Sequence, residues 1–255
     1  MKKYYGIVTA CVLLAGVGGM LTACQKDEAQ TQTQEQNTTE AVTEEQSATY
    51  AALAESNAAQ FSFADLQFEN VQMGMTVEQV EEALGKPAAI NDELGMIYQY
   101  DGFTLTFLEV AGKQQLCEVD CISSSYSFAR GLKVGMTQNQ VIDTFYRDVN
   151  CLNSNVLSAD GATIVGKFLY GDKTLSALDA GEVTDKLEYG MINYNGRTSF
   201  ENGDCIIEYT YMEPPYKSEK ATYYDDFAQM MIHTNEQGVV KEICWYYYPE
   251  MDEQK

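Results

Sequence analysis

The chain has 255 residues, 38 of them acidic and 16 basic, which gives a formal net charge of −22 with a single histidine and seven cysteines. A surface this negative repels phosphate backbones and anionic headgroups, so nucleic acid is set aside as a partner. There is no HExxH, GxSxG, P-loop or CxxC spacing, and the lone imidazole, His233, falls inside a strand-like run, so the pattern points away from an enzyme and asks for no cofactor and no metal.

Lys2 and Lys3 precede an apolar run over 7–20, which is too short for a bilayer core that needs ~20 residues but suits a signal-peptide core. Leu21, Thr22, Ala23 and Cys24 follow directly and resemble the bacterial lipobox. That resemblance implies a leader over 1–23, lipidation of Cys24, and a protein held on the extracytoplasmic face of the cell membrane by a diacyl group. Each buried methylene of such an anchor contributes ~0.8 kcal/mol. Residues 24–60 read as a tether, because 25–47 contain no aromatic residue and consist mostly of Gln, Thr, Glu and Ala. Such a stretch buries too little apolar surface to offset its ordering entropy. Residues 48–60 are either its end or a marginal alanine-rich helix.

Aromatic residues appear from Phe61 onward, and a first unit over 61–127 begins there. Its centre is a turn and helix over 71–87. Gly74 supplies the turn, Met75 follows, Thr76 and Gln79 form a capping box, and Gly85 and Pro87 stop the helix. Runs at 96–100 and 103–108 joined by Asp101-Gly102 read as a hairpin, and 116–122 as a third strand. A second unit over 128–255 repeats the turn, since Gly135, Met136, Thr137, Gln140 and Val141 recur 61 positions after Gly74, Met75, Thr76, Gln79 and Val80. Strands are expected at 205–212, 227–234 and 239–248, with a last turn at 235–238 and a stiff turn at Pro214-Pro215. The interval 150–204 has no counterpart in the first unit and reads as an insertion carrying extra strands or a long excursion. The fold class expected is α+β: two tandem units, each a short capped helix packed on an antiparallel β-meander.

A glycine-Met-Thr turn, a helix ending in Leu-Gly-x-Pro and an aromatic meander, all on a lipoprotein, resemble the superfamily that joins β-lactamase inhibitor proteins to small outer-membrane assembly lipoproteins. The likeness rests on Gly74, Met75, Thr76, Val80, Leu84, Gly85 and Pro87, and on Gly135, Met136, Thr137 and Val141. The tandem arrangement is more similar to the inhibitor branch, which implies one concave sheet surface gripping a protein partner. The chain departs from that pattern after Phe145, where no Gly-x-Pro follows, and in its insertion.

Without Cys11 in the leader and Cys24 at the anchor, five cysteines remain: Cys117, Cys121, Cys151, Cys205 and Cys244. Their odd number leaves at least one unpaired within the chain. Cys151 with Cys205 is a conceivable disulfide, buried free thiols are the alternative, and the matching places of Cys121 and Cys244 favour packing. Tyr209, Tyr211, Trp245, Tyr246 and Tyr248 crowd the second unit's strands as candidate partner-binding residues. The competing expectation is that both sheet faces are covered. The function expected is a non-enzymatic, lipid-anchored module for a protein or peptide. Alternatives are an envelope-assembly scaffold and, further off, a thiol or hydrolytic enzyme using Cys244 or Cys205 with His233.

Overall fold

The computed structural model describes Ser56 and residues 58–92, 95–151, 154–157, 164–173, 187–194, 204–212 and 227–248. The expected leader, Cys24, most of the tether and the Pro214-Pro215 turn lie outside the described residues. Among those described, no helix is long and apolar enough to cross a membrane.

Two short helices form where the capping signals place them. α1 spans Val77–Leu84 and α2 spans Gln138–Thr144. Thr76 N–H donates to Gln79 Oε1 at 2.9 Å while Thr76 Oγ1 accepts from Gln79 N at 3.5 Å; Thr137 and Gln140 repeat both bonds at 2.9 and 3.4 Å. The turns ahead of them sit at φ +80 for Gly74 and φ +94 for Gly135, a region that a side chain disfavours. α1 exits at Gly85, two residues before Pro87, whereas α2 runs into an extended Phe145.

The strands are β1 Gln67–Phe68, β2 Val71–Gln72, β3 Ala89–Asn91, β4 Met96–Tyr100, β5 Phe103–Val110, β6 Lys113–Cys121, β7 Asn155–Leu157, β8 Ile164–Tyr170, β9 Leu187–Asn193, β10 Ile206–Met212, β11 Phe227–Thr234 and β12 Val240–Tyr248. β1 and β2 pair with each other, and the other ten form one antiparallel sheet in the order β3-β4-β5-β6-β12-β11-β10-β9-β8-β7.

This corrects the expected α+β class with two helix-on-meander units. The protein is mostly β, with helices of only eight and seven residues on one continuous sheet. The physical reason is the seam. β6 and β12 pair directly, from Ile243 opposite Cys121 to Tyr246 opposite Glu118, so two edges that separate meanders would leave open are sealed against each other. The 150–204 interval supplies β7, β8 and β9, which lengthen the sheet at its far side.

The duplicated turn is fastened to that seam twice in the same way. Gly74 N–H donates to Leu116 O and Leu116 N–H to Met75 O, both at 2.8 Å; Gly135 N–H donates to Val240 O at 2.9 Å and Val240 N–H to Met136 O at 2.8 Å. One turn is thus bolted to β6 and the other to β12.

Strand alternation separates the two faces of the sheet. Tyr98, Leu105, Val119, Trp245, Met230 and Tyr209 stand opposite one another across six neighbouring strands, and all are buried. Both helices pack on this face: Tyr98 O–H donates to Glu81 of α1 at 2.9 Å, and the Phe145 ring, at the end of α2, lies 4.2 Å from that of Tyr209. The segment before β1 joins them. Phe61 meets Phe145 and Tyr209, while Phe63 packs edge-on against Tyr211 and Tyr247. Gly190 in β9 makes room for these rings, because a Cβ there would lie 2.7 Å from Tyr170 and 3.0 Å from Tyr209.

Arg130 clasps the segment before β1 to the end of α2. Its Nε and Nη2 donate to the two oxygens of the buried Asp65 carboxylate at 2.6 and 2.8 Å, and its Nη atoms also reach the carbonyls of Ala59, Gln60 and Thr144. The guanidinium lies 4.5 Å from the centre of the Phe145 ring.

Candidate functional site

The opposite face carries the polar half of the alternation, and among the described residues no helix packs on it. One row reads Thr104, Asp120, Cys244, Met231, Glu208, Met191 and Phe168 across adjacent strands; the next reads Thr106, Glu118, Tyr246, Gln229, Thr210 and Tyr189. Glu242 stands opposite His233 on the same face. Four carboxyls, Glu118, Asp120, Glu208 and Glu242, therefore share this surface with no lysine or arginine in these rows.

The face is graded in depth. Thr104, Thr106, Glu118, Asp120, Glu242 and His233 are partly exposed, whereas Cys244, Met231, Tyr246, Gln229, Thr210 and Tyr189 are buried. Met231, Cys244 and Tyr246 form a small apolar patch with Ile206 against it. Beyond it, Glu208 Oε1 accepts from Tyr189 O–H and Gln229 Nε2, both at 2.7 Å, and from Thr210 Oγ1 at 3.2 Å.

Burial without a countercharge raises these acids. Glu118 is pushed up to about 7 by desolvation and then by the Asp120 charge, against a hydrogen bond from Thr106. Asp120 is pushed up to about 6 by desolvation and then by Glu242. Desolvation also raises Glu208, against its three hydrogen bonds. Cys244 is raised well above the usual thiol range by burial, then by Asp120 and Glu242. His233 is lowered by burial, which the Glu242 charge partly offsets.

A carboxyl raised on folding is more protonated in the folded than in the unfolded chain. Its neutral form carries no penalty at low pH; the penalty grows as pH climbs from the unfolded value near 4.5 through about 7 for Glu118. Replacing Glu118→Gln is accordingly expected to raise stability by on the order of 2 kcal/mol at pH 8 and to change it little near pH 4.5. Denaturant melts of both proteins at the two pH values test this, and an equal difference at both would contradict it.

The partner-binding tyrosines expected from the sequence do not assemble into a platform. Tyr209 and Trp245 are fully buried on the helix-bearing face, and Tyr211 on that face is covered by Phe63, because strand register turns all three toward α2 and the Phe61–Phe63 segment. Tyr246 alone of the described set stands on the helix-free face, where it is buried. The side chain of Tyr248 lies outside the described residues. Gly74, Met75, Thr76, Gln79, Gly85, Pro87, Gly135, Met136, Thr137 and Gln140 serve the turns and helices as capping and turn residues.

All five described cysteines are free and buried. Cys151 and Cys205 are not bonded to each other, and Cys121 and Cys244 do not occupy matching places, since Cys121 faces the helices and Cys244, opposite Asp120, faces away. Cys244 and His233 share a face, but burial holds the Cys244 thiol protonated, the opposite of an activated nucleophile. Cys205 is raised to about 11 by burial and accepts from Gln138 Nε2 at 3.0 Å.

The acidic row was absent from the candidates read in the sequence, although its signal was there. Cys117-Glu118-Val119-Asp120-Cys121 alternates strictly, and so does Ile207-Glu208-Tyr209-Thr210. Comparison with protein-family models, with curated proteins and with solved structures finds no match to this chain.

Proposed function

We propose that the protein is a lipid-anchored, extracytoplasmic binding module, non-enzymatic in mechanism, whose helix-free sheet face takes a cationic segment of a protein or peptide. The observation that carries this reading is the set of partly exposed acids Glu118, Asp120 and Glu242 on two adjacent strands, with no lysine or arginine in their rows to neutralise them. A lysine or arginine side chain laid over the β6–β12 seam supplies the missing countercharge. Anchorage through Cys24 and the tether follows from the likeness of Leu21–Cys24 to a lipobox, and it places this face outside the membrane. The resemblance to the inhibitor and assembly-lipoprotein superfamily is supported by the repeated turn and its repeated backbone bonds.

The test uses the full-length chain in detergent and a lysine-rich peptide, compared with a glutamate-rich one of equal length. Binding of the basic peptide that weakens with salt, and weakens at least tenfold in the triple variant Glu118→Gln, Asp120→Asn, Glu242→Gln, is the expected result. Equal affinity for both peptides, or an unaffected triple variant, would sink the reading.

A further inference from the structure

At the middle of the seam, Asp120 on β6 and Glu242 and Cys244 on β12 each offer one ligand atom, and these atoms all lie within 4.8 Å of one another. Cys244 and Asp120 stand directly opposite each other across the β6–β12 seam, and Glu242 lies two residues along β12 on the same face. A separate observation concerns the same trio: Asp120 Oδ1 is sealed from solvent and has no hydrogen-bond partner. A buried polar atom left this way is costly, and such atoms in folded proteins ask for an ion or another donor.

We propose that Asp120, Glu242 and Cys244 form a binding site for a thiophilic divalent transition-metal ion of the zinc type. The donor set selects the class of ion. Calcium and magnesium take oxygen ligands alone, whereas two carboxylates with one thiolate suit zinc or cobalt. Donors bound at ~2.0–2.3 Å stand closer together than 4.8 Å, and the partly exposed Asp120 and Glu242 side chains have room to close in, over a Cys244 sulfur fixed at the buried end. When the ion enters, the Cys244 S–H bond breaks and the sulfur keeps the electron pair as a ligand. That proton leaves to solvent, as does any proton the two carboxyls carry. Three protein ligands leave a further coordination position for water.

The site does not depend on the peptide reading, because Cys244→Ser leaves the charge of the acidic row intact. The experiment is a Co2+ titration of the full-length, reduced chain in detergent, made without a histidine tag. The expected result is a near-ultraviolet thiolate-to-cobalt charge-transfer band that saturates at one ion per chain, is displaced by Zn2+ and ignores Ca2+. Cys244→Ser abolishes the band while the other cysteines remain, and Glu242→Gln keeps it but weakens Co2+ at least tenfold, both in chains whose far-ultraviolet circular dichroism matches the unmodified protein. Absence of the band in the unmodified chain, or equal cobalt affinity in the Cys244→Ser variant, would overturn the site. Should that variant not fold, an unchanged affinity in Glu242→Gln overturns it alone.

Discussion

Arg130→Ala is expected to lower stability by roughly 3–5 kcal/mol, because it strands the Asp65 carboxylate, 4 % exposed, without its charge partner. The same substitution removes the donors that hold the Ala59, Gln60 and Thr144 carbonyls and the cation over Phe145. For a folded region of this size, each kcal/mol lowers Tm by ~2–4 °C, so a fall of about 10 °C in a thermal melt is the expected reading. Arg130→Lys should recover only a minor part, since an ammonium lacks the planar fork that meets Asp65 twice. One opposing contribution is present: Arg130 sits at φ 57, a left-handed backbone that a side chain disfavours, and its removal relieves little unless glycine replaces it. A loss under about 1 kcal/mol on Arg130→Ala would show that the clasp is not what secures the segment before β1.

Trp245→Ala should be about as damaging, at ~3–5 kcal/mol, because it empties the centre of the row that runs from Tyr98 to Tyr209. Its neighbour Tyr246 points to the other face and is 9 % exposed, so Tyr246→Ala should cost less than half as much. Trp245→Phe should cost under about 1.5 kcal/mol, since the indole N–H it deletes has no hydrogen-bond partner. Chemical denaturation of the three variants separates these outcomes. Equal costs for Trp245→Ala and Tyr246→Ala would contradict the assignment of the two faces.

Local structure was legible in the sequence wherever a few neighbouring residues decide it. Thr76 with Gln79 and Thr137 with Gln140 announced both helices, the strand at Phe227–Thr234 appears with the bounds expected, and Asp101-Gly102 turns β4 into β5. What was not legible depends on pairing between distant strands. Whether two meanders stay apart or fuse is decided by β6 meeting β12, a contact between residues more than a hundred positions apart that no local pattern encodes. Which face is the core was not legible for a related reason. Alternation puts Trp245 and Tyr246 on opposite sides, but only the position of Phe145, Phe61 and Phe63 shows which side is the core. The acidic row was readable as alternation in Glu118 and Asp120. Its meaning needed Glu242 and Cys244, which arrive from the far end of the chain.

The central placement of β12 bears on how this protein acquires its shape. The strand latest in chain order among those described is neither an edge nor an appendage; it sits between β6 and β11. The early hairpins β3 to β6 can zip locally, but their union with the remainder must await the closing of a very long loop, which makes the rate-limiting encounter late and entropically slow. A nascent chain emerging N-terminus first therefore exposes the bare flank of β6 until β12 has been delivered. An acidic sequence is well suited to keep such an interrupted sheet from recruiting a stranger's strand during that interval.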